Sequence, residues 1–237
     1  MKNLDPVNFV YSYRITYWGG TAPCYDGKGK DNYLSLAICK RDMRRVIGQE
    51  FLKKGETDKT FWILGIVGKG LQDKNKDFVR ESIVYVAKVC DVIRFGDYFV
   101  QSESRKKRKD QIYKLDANGD YEDLGRHFSP TGEVHGCKFL WDRDWDQAHP
   151  NRPKFVLKCK EYAFCSKEQS DMIYSALADT PYSLAKYVGH THFECGNETN
   201  IIKILENLVS SGNPHLENLP ESVQNDCRYT CGKDKAL

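Results

Sequence analysis

The sequence predicts an α+β fold, because strand patterns and helix patterns are interspersed along its 237 residues. Tyrosines alternate with other residues over Val10–Tyr17, which indicates a strand with aromatic side chains on one face. Thr60–Val67 is a continuous apolar run bounded by turn residues, as expected of a buried strand. Asn200–Val209 has the apolar spacing of an amphipathic helix.

Between these segments the first half of the chain contains four further predicted elements. A second strand over Leu34–Cys39 leads directly into a helix over Arg41–Lys54. β-Branched and aromatic residues predict a strand over Ser82–Asp91. Phe95–Phe99 is expected to form a short helical turn after it.

The second half begins with a hairpin signal. The pair Asn118–Gly119 lies between Gln111–Leu115 and Tyr121–Asp123, and Asn-Gly favours a tight turn between two strands. Strand character resumes over Lys154–Cys165, and a helix is predicted over Lys167–Leu177.

Composition indicates an ordinary globular protein, with 40% hydrophobic and 29% charged residues. No repeat or linker is evident, so we expect a single domain over 1–209, with a charged, irregular insertion over 102–153. The polar residues over 210–237 predict a loosely held C-terminal tail. A net charge of +3 excludes a protein that coats nucleic acid nonspecifically, so any such contact should be local.

The N-terminal segment lacks a charged start followed by an apolar stretch, and no apolar run has the length of a membrane span. These observations predict a cytoplasmic protein with no membrane partner. Its nine cysteines are then expected to be reduced and mostly buried. Strand-like apolar surroundings favour burial of Cys39, Cys90, Cys159 and Cys165.

Basic residues cluster at two places. Lys40 precedes the first predicted helix, and Arg41, Arg44 and Arg45 share one face of it, which could present guanidinium groups to a phosphate. Cations at a helix N-terminus oppose the macrodipole unless an anion is nearby. The run Arg105–Lys109 could hold a nucleic-acid backbone. A solvated surface is the alternative interpretation of both clusters.

Aromatic side chains near these cations could stack on a base, each stack contributing about 1–3 kcal/mol. Alternating tyrosines on a strand also suit half-buried packing, so we expect only one or two of them to contact a ligand. The candidates are Tyr11, Tyr13, Tyr17, Trp18, Trp62 and Tyr85.

Metal and cofactor motifs are weak or absent in the sequence. His190, His192 and Cys195 are metal-ligating residue types, but their spacing to Cys227 and Cys231 matches no common zinc pattern, so we expect no metal centre. There is no P-loop, no G-x-G-x-x-G after a strand and no nucleophile elbow. We therefore expect no cofactor.

The N-terminal block resembles the nucleotide modification-associated domain 2 family. Its Tyr-rich strand, G-x-A-P loop and L-A-x-C-K-x-x-x-R-R element are similar to Tyr11–Tyr13, Gly20–Pro23 and Leu36–Arg45 of this chain. Asp110–Tyr113 is similar to the D-N-I-Y element of the family, with Gln111 in place of Asn.

The likeness continues to about Leu208, with one departure. The family places a Gly-Asp pair just before its third strand, whereas here an extended segment over Gly48–Lys59 intervenes and Thr60–Trp62 enters the strand directly.

This resemblance and the order of elements imply a PUA-like, partly open mixed β-barrel with flanking helices. The implied function is binding of a nucleotide or nucleic acid, with a modified or flipped-out base as ligand, in a DNA-modification or phage-defence context. The residues expected to bind are Tyr13, Arg14, Tyr17, Trp18, Lys40, Arg44, Arg45 and Trp62.

Two other functions stay open on the sequence. An enzyme acting on a nucleotide or nucleic acid would use Asp110, Tyr113 and His190 as acid or base, and requires that these groups converge on one point. A protein-interaction domain with a protein partner would instead expose a large apolar patch.

Overall fold

A computed structural model gives the structure of the chain over most of its length. The described residues are 7–16, 18, 23–25, 33–37, 40–53, 59–94, 97–98, 108, 110, 113–115, 121–123, 155–187 and 189–224. Within them the fold is α+β, with a five-stranded sheet, a four-stranded sheet, one two-stranded pair and four α-helices. The strands of the described part do not close into a barrel.

The elements are numbered in chain order. The strands are β1 Val7–Ile15, β2 Cys24–Tyr25, β3 Leu34–Leu36, β4 Lys59–Val67, β5 Ile83–Lys88, β6 Asp91–Arg94, β7 Tyr113–Leu115, β8 Tyr121–Asp123, β9 Phe155–Cys159, β10 Glu161–Phe164 and β11 His190–Gly196. The α-helices are α1 Arg41–Leu52, α2 Lys69–Lys74, α3 Lys167–Ala178 and α4 Asn200–Ser210, and two short 3₁₀ helices follow at Leu216–Asn218 and Glu221–Val223.

The five-stranded sheet, called the large sheet below, has the order β10-β5-β4-β1-β11. β1 and β4 are parallel, which requires a crossover, and α1 lies in that connection. The other neighbours are antiparallel. The four-stranded sheet, called the small sheet, has the order β2-β3-β9-β6.

The large sheet has two differently composed faces. The face that packs on α3 and α4 is called the aliphatic face, and Val10, Leu64 and Ile66 are fully buried there together with Leu205 of α4. The opposite face, called the aromatic face, packs on the small sheet and α1. Its buried aromatic side chains include Tyr11, Tyr13, Tyr85, Phe61 and Phe164. Alternation along β1 sends Val10 to one face and Tyr11 and Tyr13 to the other.

Two short corners connect the sheets, and the sequence does not reveal them. The single strand predicted over Lys154–Cys165 is two strands, because β9 pairs in the small sheet and β10 pairs in the large sheet, with only Lys160 between them. The strand predicted over Ser82–Asp91 turns in the same way at Val89 and Cys90, where β5 ends and β6 begins. Cys90 is exposed at this corner, against the expected burial.

Several predicted elements are confirmed. α3 begins at a capping box formed by Ser166 and Gln169, which satisfies backbone N–H groups that the first turn leaves without partners. β4 is a central buried strand, α4 is amphipathic, and β7 pairs antiparallel with β8, while Asn118 and Gly119 lie outside the described residues. The short helix α2 and the strand β11 are not predicted by the sequence.

The tail is more tightly held than expected. Leu219 and Val223 are buried in the core beneath the aromatic face, and the Tyr25 hydroxyl donates a hydrogen bond to Val223 O at 2.7 Å. The prediction of a loosely held tail is therefore wrong as far as Gln224, because these apolar side chains supply the contacts that anchor it. Among the described residues no helix is long and apolar enough to span a membrane.

Candidate functional site

The start of α1 is an unusual helix N-terminus. Lys40 precedes the helix with φ 59° and ψ 47°, in the left-handed region that disfavours residues other than glycine, and its side chain makes no capping hydrogen bond to the helix. Lys40, unlike Ser, Thr, Asp or Asn, has no side-chain oxygen that could accept from the N–H groups of the first turn. Such an N-terminus carries a partial positive charge.

Lys40 connects this helix start to the edge of the large sheet. Its Nζ donates to Gly189 O at 3.3 Å and lies 5.3 Å from the centre of the Tyr13 ring. Tyr13 lies opposite His190 in the β1–β11 pair. Two residues expected to bind a ligand, Tyr13 and Lys40, therefore meet the candidate acid–base residue His190 at one place, although the three are far apart in sequence.

Two arginines extend the positive charge along α1. Arg41 and Arg45 are one turn apart on the helix and are partly exposed. Arg45 donates to Gln49 Oε1 at 3.1 Å, and the Arg41 Nε lies 3.8 Å from the Asp42 carboxylate. We call Lys40, Arg41, Arg45, Gly189 and His190 the helix-start surface.

His190 is the titratable base of the helix-start surface. Partial burial of its ring, and then His192 and Lys40, lower its pKa, while Asp42 opposes them. The imidazole is therefore held in its neutral form at pH 7, and an anion bound beside it would favour the protonated form.

Arg44 does not belong to this surface. It is only 1% exposed, and its guanidinium donates to Phe155 O of β9. Gly48, one helical turn after Arg44, allows β9 to approach α1 this closely. A side chain there would collide with Phe155, since a Cβ on Gly48 would lie 2.2 Å from the Phe155 ring. The expected face of three arginines is thus not formed, since the side of α1 that carries Arg44 is the side packed on the small sheet.

Arg14 and Trp62 lie on the aliphatic face, away from Tyr13. The Arg14 guanidinium donates to Ala185 O at 2.7 Å and to Val67 O at 3.1 Å. The Trp62 indole is fully buried and donates to Asn8 Oδ1 at 3.1 Å. Their polar groups hold the fold together and are not presented to a ligand.

The remaining aromatic candidates are buried on the aromatic face. The Tyr13 and Tyr85 hydroxyls lie 2.7 Å apart, and Gly65 between their strands leaves room for the Tyr85 ring. Trp18 packs on Phe78 with ring centres 5.4 Å apart, and its Nε1 has no hydrogen-bond partner within the described part of the chain. Tyr17 lies outside the described residues.

A buried ion pair occupies the far side of the small sheet. Asp110 is fully buried, and its carboxylate lies 3.2 Å from Arg108 Nε. It also accepts hydrogen bonds from the Ser35 hydroxyl and, at 2.6 Å, from the Tyr98 hydroxyl. Burial, and then the nearby Asp110 charge, raise the pKa of Tyr98 well above its usual value, so this phenol stays a donor.

The Arg108 guanidinium, like the Asp110 carboxylate, has several hydrogen-bond partners in the core. It donates to Cys24 O at 3.0 Å and to Ser35 Oγ at 2.8 Å, and it lies 4.1 Å from the centre of the Tyr33 ring. Arg108 belongs to the basic run expected to be solvated or to bind nucleic acid, yet this member of the run is a core residue. The other residues of that run lie outside the described part.

Two groups of the predicted acid–base site, Asp110 and His190, are joined by no hydrogen bond or ion pair among the described residues. Asp110 instead contacts Arg108, Ser35 and Tyr98. Tyr113 is described only by its backbone, which pairs in β7.

The suggested histidine–cysteine cluster also separates. His192 stacks on Tyr11 with ring centres 4.9 Å apart, while Cys195 is buried on the aliphatic face. In the described ranges no group of three or more such residues is placed to hold a metal ion. Cys227 and Cys231 lie outside those ranges.

No family model, curated protein or solved structure matches this chain. The roles of the helix-start surface and of the buried ion pair are therefore inferred from the geometry of this structure.

Proposed function

We propose that this chain is a nucleotide- or nucleic-acid-binding domain that holds a phosphate group at the helix-start surface. The observation that carries the proposal is the start of α1 at Lys40, which has a left-handed backbone, no capping hydrogen bond from its own side chain, and cations around it. Strained backbone of this kind concentrates at functional sites. Basic side chains at a helix N-terminus are unfavourable alone, and a bound anion reverses that effect.

The donors at this surface suit a phosphate. At the start of α1, Lys40 supplies an ammonium group, and Arg41 and Arg45 supply guanidinium groups. His190 supplies an imidazole from the neighbouring strand β11. Asp42 is the acidic exception, and its carboxylate lies beside Arg41. His190 is also an exposed aromatic ring on which a base could stack, whereas the tyrosines behind it are buried.

The family resemblance supports the same function and a finer description of the fold. A PUA-like arrangement of the two sheets would agree with the corners at Lys160 and at Val89–Cys90, where the chain passes from one sheet to the other. The resemblance also supports a modified or flipped-out base as ligand and a role in DNA modification or phage defence.

The test is salt-titrated binding of fluorescent single-stranded and duplex oligonucleotides, with modified and unmodified bases, and of nucleoside monophosphates as competitors. Lys40→Gly removes the ammonium group and suits the left-handed backbone, so the fold is retained. Combined with Arg45→Gln it should weaken binding about tenfold and lower the salt slope by about one unit for each phosphate that is no longer neutralised.

Lys203→Gln is the matched control, because Lys203 is an exposed lysine on α4 and should not affect binding. A histidine NMR titration adds a second readout, in which ligand should raise the pKa of His190 above its lowered value. The proposal fails if no oligonucleotide or nucleotide binds. It also fails if the double variant binds as the wild type does.

A further inference from the structure

The two outer edges of the large sheet differ. At β10 the edge is covered, because Phe164 N donates to Pro214 O at 2.9 Å and Asn218 Nδ2 donates to Phe164 O at 2.8 Å. At β11 no such cover exists within the described residues. Besides the bonds that pair β11 with β1, the backbone of β11 accepts hydrogen bonds from Thr199 N and Thr199 Oγ1, both at Gly196 O where the strand ends. Alternate backbone N–H and C=O groups of β11 therefore point outward and meet no partner among the described residues.

β11 also lacks the features with which proteins usually prevent an edge from pairing. It contains no proline and no lysine, and its register with β1 is continuous over all seven residues. Its exposed side chains are of mixed character, with His190, His192 and Glu194 on one face. An open, regular edge of this length is suited to receive another strand.

The order of charged residues along β11 makes the strand complementary to β11 of a second copy of this chain. In an antiparallel pair, directly opposite residues lie on the same face, so a strand pairs with its own copy about a two-fold axis through one residue. An axis at Phe193 lets the whole of β11 overlap, and it places His192 opposite Glu194 of the second copy twice. Shifting the axis by one residue puts two copies of His192, or two copies of Glu194, opposite each other and shortens the overlap.

We propose that this chain self-associates through β11, joining the large sheets of two copies across a two-fold axis at Phe193. About six to eight backbone hydrogen bonds would form between the strands. On the aliphatic face the two Phe193 rings would meet, each already stacked on its own Tyr182 at 4.5 Å. His190 would lie opposite Gly196 of the second copy, so its ring stays accessible at the helix-start surface. The inference does not depend on the proposed function.

A contact made mainly by one strand from each copy is small, so the dimer should be weak and concentration-dependent. Sedimentation velocity from low- to high-micromolar protein should show a monomer–dimer equilibrium. Hydrogen exchange should slow for alternate β11 amides as the concentration rises. Glu194→Lys removes both pairs of His192 with Glu194 and sets a lysine opposite each histidine, which should weaken dimerisation about tenfold or more.

A charge-swap mixture tests the register. His192→Glu should also be monomeric, because the introduced carboxylate would then lie opposite Glu194 of the second copy. Mixing the His192→Glu and Glu194→Lys chains should restore a dimer, since the introduced glutamate of one chain then faces the introduced lysine of the other. Glu198→Lys, an equal charge change beyond the strand, is the control and should dimerise as the wild type does.

The proposal is overturned if the wild type stays monomeric over the whole range. It is equally overturned if Glu194→Lys dimerises normally, or if the two monomeric variants do not combine.

Discussion

The two faces of the large sheet achieve burial by different means. The aliphatic face buries mostly Val, Leu and Ile against α3 and α4. These side chains need no polar partners, and only a minority of the buried groups on this face, such as Arg14 and Trp62, donate hydrogen bonds. The aromatic face and the small sheet bury tyrosine hydroxyls, the Arg44 guanidinium and the Arg108–Asp110 ion pair, each of which needs a hydrogen-bond partner. Buried polar groups are costly when any partner is missing.

The two faces of the large sheet therefore stabilise the fold in different ways. The stability of the aliphatic face depends mainly on how well its apolar side chains fill the available volume. The aromatic face depends on specific partners, and the helix-start surface lies at its margin, where Tyr13 and Lys40 meet. Substitutions on the two faces should therefore have separable effects on stability and binding.

The largest expected effect is on the polar side. Asp110→Ala leaves the Arg108 guanidinium buried without its counter-ion, which should lower the free energy of unfolding by about 3–5 kcal/mol. Asp91→Ala is the control, because the half-exposed Asp91 pairs with Lys158 at 3.7 Å and such surface pairs contribute about 0–1 kcal/mol. Urea denaturation measures both. Equal losses would show that the buried ion pair is not what holds this region.

Next in size is a cavity on the aliphatic face. Leu205→Ala removes a fully buried side chain of α4 and should cost about 3 kcal/mol. Oligonucleotide affinity, measured below the unfolding transition, should stay at the wild-type value. Leu52→Ala, at a position 59% exposed, should change stability by less than about 0.5 kcal/mol. A loss of affinity in folded Leu205→Ala would mean that the faces are not independent.

The smallest effect appears only in alkali. Burial, and then Glu50 and Glu194, raise the pKa of Tyr11 to about 12, from about 10 in the unfolded chain. The folded state retains the phenolic proton longer, so the contribution of Tyr11 is fully present below pH 10 and is lost as the pH rises from 10 to 12.

Tyr11→Phe should flatten the fall in stability over that pH range and change little at neutral pH. Tyr187→Phe is the control, because Tyr187 is 83% exposed. Thermal unfolding at a series of pH values compares the three proteins. Parallel curves for wild type and Tyr11→Phe would contradict the assignment.

Elements with strong local patterns are predictable from the sequence, and elements made by pairing are not. β4, α3 and α4 follow from apolar runs, periodicity and a capping box. β11 has no such signal, since its histidines and glutamate form a strand only because β1 pairs with it. The corner at Lys160 changes no local pattern, so the sequence predicts a single strand there.

In the candidate site, too, the sequence predicts individual residues but not the contacts between distant parts of the chain. Residue type singles out both Lys40 and His190, and the resemblance includes Lys40, but their meeting depends on a contact between Lys40 and Gly189, 149 positions apart. Helical periodicity places Arg44 beside Arg41 and Arg45, and it cannot show that the acceptor for Arg44 is a carbonyl oxygen of β9. Burial of Asp110 likewise depends on partners contributed by other parts of the chain.

The one-residue corner at Lys160 also limits how this fold can change length during evolution. β9 and β10 meet different sheets on either side of that residue, and each strand has a side-chain period of two. An insertion or deletion of one residue there would invert the inward and outward faces of one strand relative to the other, which would expose Phe164 or turn Lys158 toward the core. Length variation among descendants of this chain is therefore expected to spare this junction and to accumulate where no two sheets depend on the same residue.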